Sequence, residues 1–258
     1  MRLMKRILSA AAVLALSASL LVGCSSGTAS SVPVSASSAA ESTVSSVEET
    51  ASSAVDENEA AAAQLLNDLT GSYQELWPVI LADEYKQTWL DDCTALVGED
   101  NAEAAFEKLS SMVTGDVYGE DAVKAYANGG GAYFCGFTNS LATLTFDGET
   151  STISGTDKDG NVLFSHTYHY IGMEPVRGLY EFESDDADSG EFTYFFLAPD
   201  TSAETYHIEF RYGSDADALS QYDAGDYAYW VASGISTDCD QTMIDNCIEL
   251  FCTENLAG

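Results

Sequence analysis

From about residue 141 to residue 212 the chain repeats one pattern, a short run whose alternate side chains are large and apolar, followed by a cluster of turn residues. Phe164, Tyr168 and Tyr170 alternate along one run, Phe192, Tyr194 and Phe196 along a second, and Tyr206, Ile208, Phe210 and Tyr212 along a third. Strand side chains point alternately to opposite faces, so a period of two with aromatics on one side demands a sheet with one buried face. Strands are expected at Leu141–Phe146, Thr150–Ser154 continuing to Thr156, Val162–Ile171, Leu179–Glu183, Glu191–Ala198 and Glu204–Tyr212. Asp147-Gly148 and Asp157-Lys158-Asp159-Gly160-Asn161 are hairpin turns by composition. Strands in series at this spacing make an up-and-down antiparallel barrel or a strongly curled meander. Thr205, His207, Glu209 and Arg211 form the opposite, polar face of the last strand, which is expected to be solvated.

The rest of the domain has the helical period. Leu65, Leu66 and Leu69 share a face within 60–69, and Ala105, Phe106, Leu109 and Val113 do so within 102–113, after Asn101 as N-cap. A short helix is expected over 121–127, ended by Gly129-Gly130-Gly131. Met243, Ile244, Cys247, Ile248 and Phe251 mark a closing helix over 240–254. The fold class is therefore α+β, with helices before the sheet and one after it.

Ahead of this domain lies a different kind of sequence. Arg2, Lys5 and Arg6 precede 16 uncharged, largely apolar residues, Ile7 to Val22. That is shorter than the roughly 20 residues a membrane-spanning helix needs, and it matches the core of a signal peptide. The stretch ends in Leu21-Val22-Gly23-Cys24, which resembles the bacterial lipobox. The resemblance implies cleavage after residue 23, a lipid on the Cys24 thiol, and anchoring on the extracytoplasmic face of the cell membrane. Residues 24–59 begin with that cysteine and continue as a tether dominated by Ser, Ala, Thr, Val and Glu, too poor in apolar surface to offset its ordering entropy. Residues 60–258 form one domain.

Loss of the three basic residues with the signal leaves 6 basic against 42 acidic side chains, a formal charge of −36. Nucleic acid is excluded as a partner for so acidic a surface. Five cysteines follow Cys24, namely Cys93, Cys135, Cys239, Cys247 and Cys252. They include no zinc-type Cys-x-x-Cys, and their pairing is open, since two bridges among five thiols allow 15 arrangements.

The order of elements and several strings resemble the ZinT family of extracytoplasmic zinc-binding proteins. The strings are Leu69-Thr70-Gly71-Ser72-Tyr73-Gln74-Glu75-Leu76-Trp77-Pro78, His166-Thr167-Tyr168-His169-Tyr170-Ile171-Gly172, Ala198-Pro199 with Ser202-Ala203, Tyr206-His207-Ile208 and Asp226-Tyr227-Ala228-Tyr229-Trp230. Gly71-Ser72-Tyr73 is also similar to the opening of lipocalin barrels. The resemblance implies a lipocalin-like (calycin) barrel, a three-histidine zinc site, and delivery of zinc to the binding protein of an uptake transporter. This sequence departs from the implied site. Phe195 stands at the first histidine position, and Thr205-Tyr206-His207 replaces a His-x-His.

A rebuilt zinc site would use His207, with Glu209 two residues on along the same strand face, and His169 from the polar side of its own strand, since two nitrogens and a carboxylate make a legitimate zinc set. His166 shares a side with Phe164 and Tyr168 and is expected to be packed. Asp185, Asp186 and Asp188 lack the length and closing glutamate of a calcium loop. No nucleophile–base pair or catalytic motif is present. The expectation is a monomeric, non-enzymatic binding protein for zinc or another divalent metal. The alternative is a surface module for a protein or small ligand that has lost the metal site.

Overall fold

A computed structural model describes residues 57–198 and 207–257, all within one compact unit, Val55–Gly258. The expected signal peptide, Cys24, the expected tether up to residue 56, Pro199, Ser202, Ala203, Thr205 and Tyr206 lie outside the described residues. Eight strands pair in sequence order, and the last returns to the first, giving a closed antiparallel barrel. They are β1 (Gly71–Glu75), β2 (Thr143–Asp147), β3 (Thr152–Thr156), β4 (Val162–Met173), β5 (Tyr180–Ser184), β6 (Tyr194–Leu197), β7 (His207–Gly213) and β8 (Ala232–Ser236). Closure removes the exposed edges that a sheet of this aromatic content would otherwise present. The helices are α1 (57–68), α2 (Leu76–Ile80), α3 (Lys86–Val97), α4 (Glu99–Val113), α5 (Glu120–Ala127), α6 (Ala216–Leu219) and α7 (Gln241–Leu256). The fold is thus the expected calycin-like α+β class, with α1 ahead of β1, α2–α5 between β1 and the rest of the barrel, α6 between β7 and β8, and α7 at the end. Among the described residues no helix is long and apolar enough to cross a membrane.

Two cores result. Inside the barrel, Tyr73, Phe146, Phe164, Tyr168, Phe182 and Phe195 pack with Phe210, Tyr212 and Trp230; α1 adds Leu65 and Leu66, and the turn after it adds Leu69. Outside it, α2, α3, α4 and α7 enclose Trp77, Trp89, Cys93, Leu109, Ile248 and Cys252 against Ile235 of β8. Trp89 anchors that layer by donating its indole N–H to the Ile80 carbonyl at 2.7 Å.

The two hairpins use their glycines differently. Gly160 has φ +82°, and Asp157 accepts from the N–H groups of Asp159 and Asn161, both at 2.9 Å. Its carboxyl lies below the usual range, with Asn161's side-chain hydrogen bond the largest cause, so this carboxylate is committed to the turn. Gly148 is not left-handed. It is needed for close approach, because a Cβ there would fall 2.4 Å from the Asn67 Cα at the end of α1.

The strand phase differs from expectation at one place. Phe192, Tyr194 and Phe196 do not share a face. A 3₁₀ turn, Gly190–Phe192, precedes β6, and Phe195 is the inward residue, opposite Phe182 and Tyr212. One turn of 3₁₀ helix advances the chain by three residues per revolution, which brings Phe192 and Phe195 to the same side.

Candidate functional site

The barrel lumen is filled. Phe164 stacks on Phe192 at 4.0 Å between centroids, and Phe195 lies within 5.9 Å of Phe164, 5.4 Å of Tyr168 and 5.4 Å of Tyr212. Residues 136–138 are tied to the barrel, with the Phe137 ring 5.3 Å from that of Phe210. The Glu75 carboxylate accepts from the Phe137 N–H at 2.6 Å, Tyr212's hydroxyl accepts from the Thr138 N–H at 2.6 Å, and Trp230 donates to the Gly136 carbonyl at 2.9 Å. The phenols of Tyr168 and Tyr212 are pushed up by burial, so they stay protonated and hydrogen-bonded. Gly155 lies so close to Leu141 and Phe164 that a Cβ would sit 2.4 Å from either. These contacts close the lumen as a ligand pocket.

The two histidines of β4 point to opposite faces, and each is held by a carboxylate of the loop after β5. His166 faces inward near the rim, packs beside Phe164 at 5.9 Å, and meets Asp186 through Nδ1 at 2.8 Å. His169 faces outward, with Nδ1 2.7 Å from Asp185 and Nε2 4.0 Å from Glu183. Asp185 and Asp186 therefore pin the loop to β4.

His207 and Glu209 share the outer face of β7, His207 half-buried and Glu209 exposed. The third expected ligand does not join them. The ladder runs His169↔Glu183, Glu183↔Tyr194 and Tyr194↔Gly213, so the residue of β7 level with His169 is Gly213. His207 lies six residues further along β7, on the order of 20 Å at the strand rise, and three strand spacings around the wall. Among the described residues no three His, Cys, Asp or Glu side chains come together as a group that would hold a metal. A three-histidine zinc centre does not fit either. Phe195, at the first histidine position, is fully buried and points inward, whereas His207 points outward.

Arg211 corrects the reading of the β7 outer face as solvated. It is fully buried beneath the excursion that links β7 to β8. Its guanidinium donates to the carbonyls of Leu219 and Tyr227 and lies 4.3 Å from the Tyr222 ring centroid, while Nε has no protein partner. Arg177 lies 4.1 Å from the same ring, and the Tyr222 hydroxyl donates to buried Glu174 at 3.3 Å. Glu174 also accepts from the N–H groups of Val176 and Arg177 at 2.6 and 2.7 Å. Burial lowers the Arg211 pKa to about 10, which leaves it charged at neutral pH. The strand's period gave no sign of this cluster; the covering aromatic segment, 226–230, was the available one.

No family model matches the sequence, and no curated protein matches it. Solved structures similar to it include the Zn(II)-bound ZinT-like domain of Streptococcus pneumoniae AdcA, at 15% identity and TM-score 0.45 over 71% of this chain and 89% of that one. Zn(II)-bound AdcA from the same organism is similar at 14% identity and TM-score 0.43, over 72% of this chain and 35% of that one.

Proposed function

We propose that this chain is a monomeric, lipid-tethered extracytoplasmic domain of ZinT-like type that has lost the three-histidine zinc centre and binds its partner through its outer surface, without catalysis. The tether and anchor rest on the basic head, the apolar core and Leu21-Val22-Gly23-Cys24. The binding mode rests on one observation, the packed lumen with Phe195 at its centre. A calycin barrel that carries an apolar ligand keeps its interior open, and this one is occupied by aromatic side chains in mutual contact.

The test is calorimetry with zinc at about 0.5 M salt, where diffuse attraction to the acidic surface is screened, together with an environment-sensitive apolar dye. The expected result is no saturable zinc heat and no dye uptake. Saturable dye uptake that Phe195→Trp abolishes would overturn the closed-lumen reading. For the anchor, Cys24→Ser should release the protein from the membrane fraction, and retention would refute lipidation.

A second reading keeps one observation, the placement of His207 and Glu209 two residues apart on the outer face of β7. Under it they supply two donors to a divalent metal, zinc first, with His169 excluded by its distance, and the protein passes zinc to a transporter's binding protein. One zinc equivalent that survives high salt and disappears in His207→Ala would establish this reading in place of the first.

A further inference from the structure

Cys93 on α3 and Cys252 on α7 are both fully buried, and their sulfur atoms are 3.9 Å apart. Among the described cysteines these are the two whose sulfurs meet; Cys135 has its contact with the Tyr133 carbonyl at 4.0 Å. The two thiols sit in the layer that packs α3 against α7, with Trp77, Trp89 and Ile248 in the same core. They lie 159 residues apart in sequence, so their meeting is a product of the tertiary fold rather than of local geometry.

We propose that Cys93 and Cys252 become an intramolecular disulfide when the chain folds in an oxidising medium, stapling the closing helix α7 to α3, which lies between β1 and β2. The 3.9 Å gap must close to a bond of about 2 Å, an approach of about 2 Å shared between two side chains. The two thiols give up two protons and two electrons to a disulfide oxidant, a thiol oxidoreductase or glutathione disulfide, which leaves as two thiols. A mixed disulfide forms first on one cysteine, and attack by the other sulfur then expels the reduced oxidant. Burial raises both thiol pKa values, which keeps thiolate scarce in the finished fold. The bond therefore forms while the helices assemble and is slow to exchange afterwards. In the cell it rests on the extracytoplasmic placement proposed above, since disulfides persist there; the pairing itself does not.

The whole chain carrying Cys24→Ser has five thiols. It is reduced and unfolded, refolded in a glutathione redox buffer, alkylated, and mapped by peptide mass spectrometry. The expected result is three alkylated cysteines and one linked peptide joining Cys93 to Cys252, with a mass about 2 Da below the reduced form. Reduction should lower the melting midpoint by roughly 10–20 °C, scaled from loop closure across 159 residues, and should not lower it in Cys93→Ala/Cys252→Ala. Five free thiols, or a bridge between other cysteines, would overturn the proposal. A bridge formed on refolding but reduced in protein trapped from cells would uphold the pairing and overturn the extracytoplasmic placement instead.

Discussion

Asp92, which follows Asp91 on α3 and lies near Glu249 and Asp245 of α7, carries a testable electrostatic defect. Its Oδ2 is buried with no protein hydrogen-bond partner. Its pKa is raised from the usual 3.8, first by loss of solvent and then by Glu249, Asp245 and Asp91. A carboxyl whose pKa is higher folded than unfolded favours the fold while it is protonated, below pH 3.8, and that contribution is lost as pH rises through the raised folded value. At neutral pH the ionised group is a liability. Holding a partly exposed charge against three carboxylates, with part of its solvent lost, costs about 1 kcal/mol. Asp92→Asn keeps the shape, removes the charge, and should stabilise the protein by about 1 kcal/mol at pH 7, or roughly 2–4 °C in a domain of this size. Thermal melts followed by circular dichroism at pH 7, 5 and 3.5 measure it. The gain should shrink with acid and be absent at pH 3.5, and added salt should reduce the part due to the three neighbouring carboxylates. A gain that is independent of pH, or a loss of stability at pH 7, would refute this account of Asp92.

Two further substitutions probe local claims. Gly148→Ala should cost about 1–3 kcal/mol, because the new methyl meets the backbone of Asn67; chemical denaturation that shows less than about 0.5 kcal/mol would mean that α1 and the hairpin separate freely. Asp240→Ala removes the N-cap that accepts from the Met243 N–H at 3.0 Å, and should cost about 1 kcal/mol in the same assay.

What the sequence announced and what it hid follow from how far each cause reaches along the chain. β4 and α7 were visible because their burial alternates with the local period, as in Phe164 and Tyr168 or Ile244, Cys247 and Ile248. β8 was not, since Ala232, Ser233, Gly234 and Ile235 are buried on both faces, between the lumen and the helices, and show no alternation. α3 passed unnoticed because it buries only Trp89 and Cys93 among polar neighbours. Arg211 was misplaced because its cover comes from Leu219, Tyr222 and Tyr227, beyond the strand itself. For the candidate site, strand parity correctly put His207, Glu209 and His169 on outward faces. Parity says nothing of which residues stand level across several strands, and that register is what separates His169 from His207.

The seam between β1 and β8 sets the order in which the molecule can be finished. Tyr73 pairs with Ser236, so the first strand to be synthesised waits for the last before its second edge is satisfied. At roughly 5–20 residues per second, some ten to thirty seconds pass on the ribosome between those two residues. Throughout that interval the ring is open and its aromatic interior lacks a wall, so a stable barrel cannot precede release of nearly the whole chain. The topology itself therefore keeps the chain free of a closed barrel until its last strand is available, which is compatible with the export proposed above.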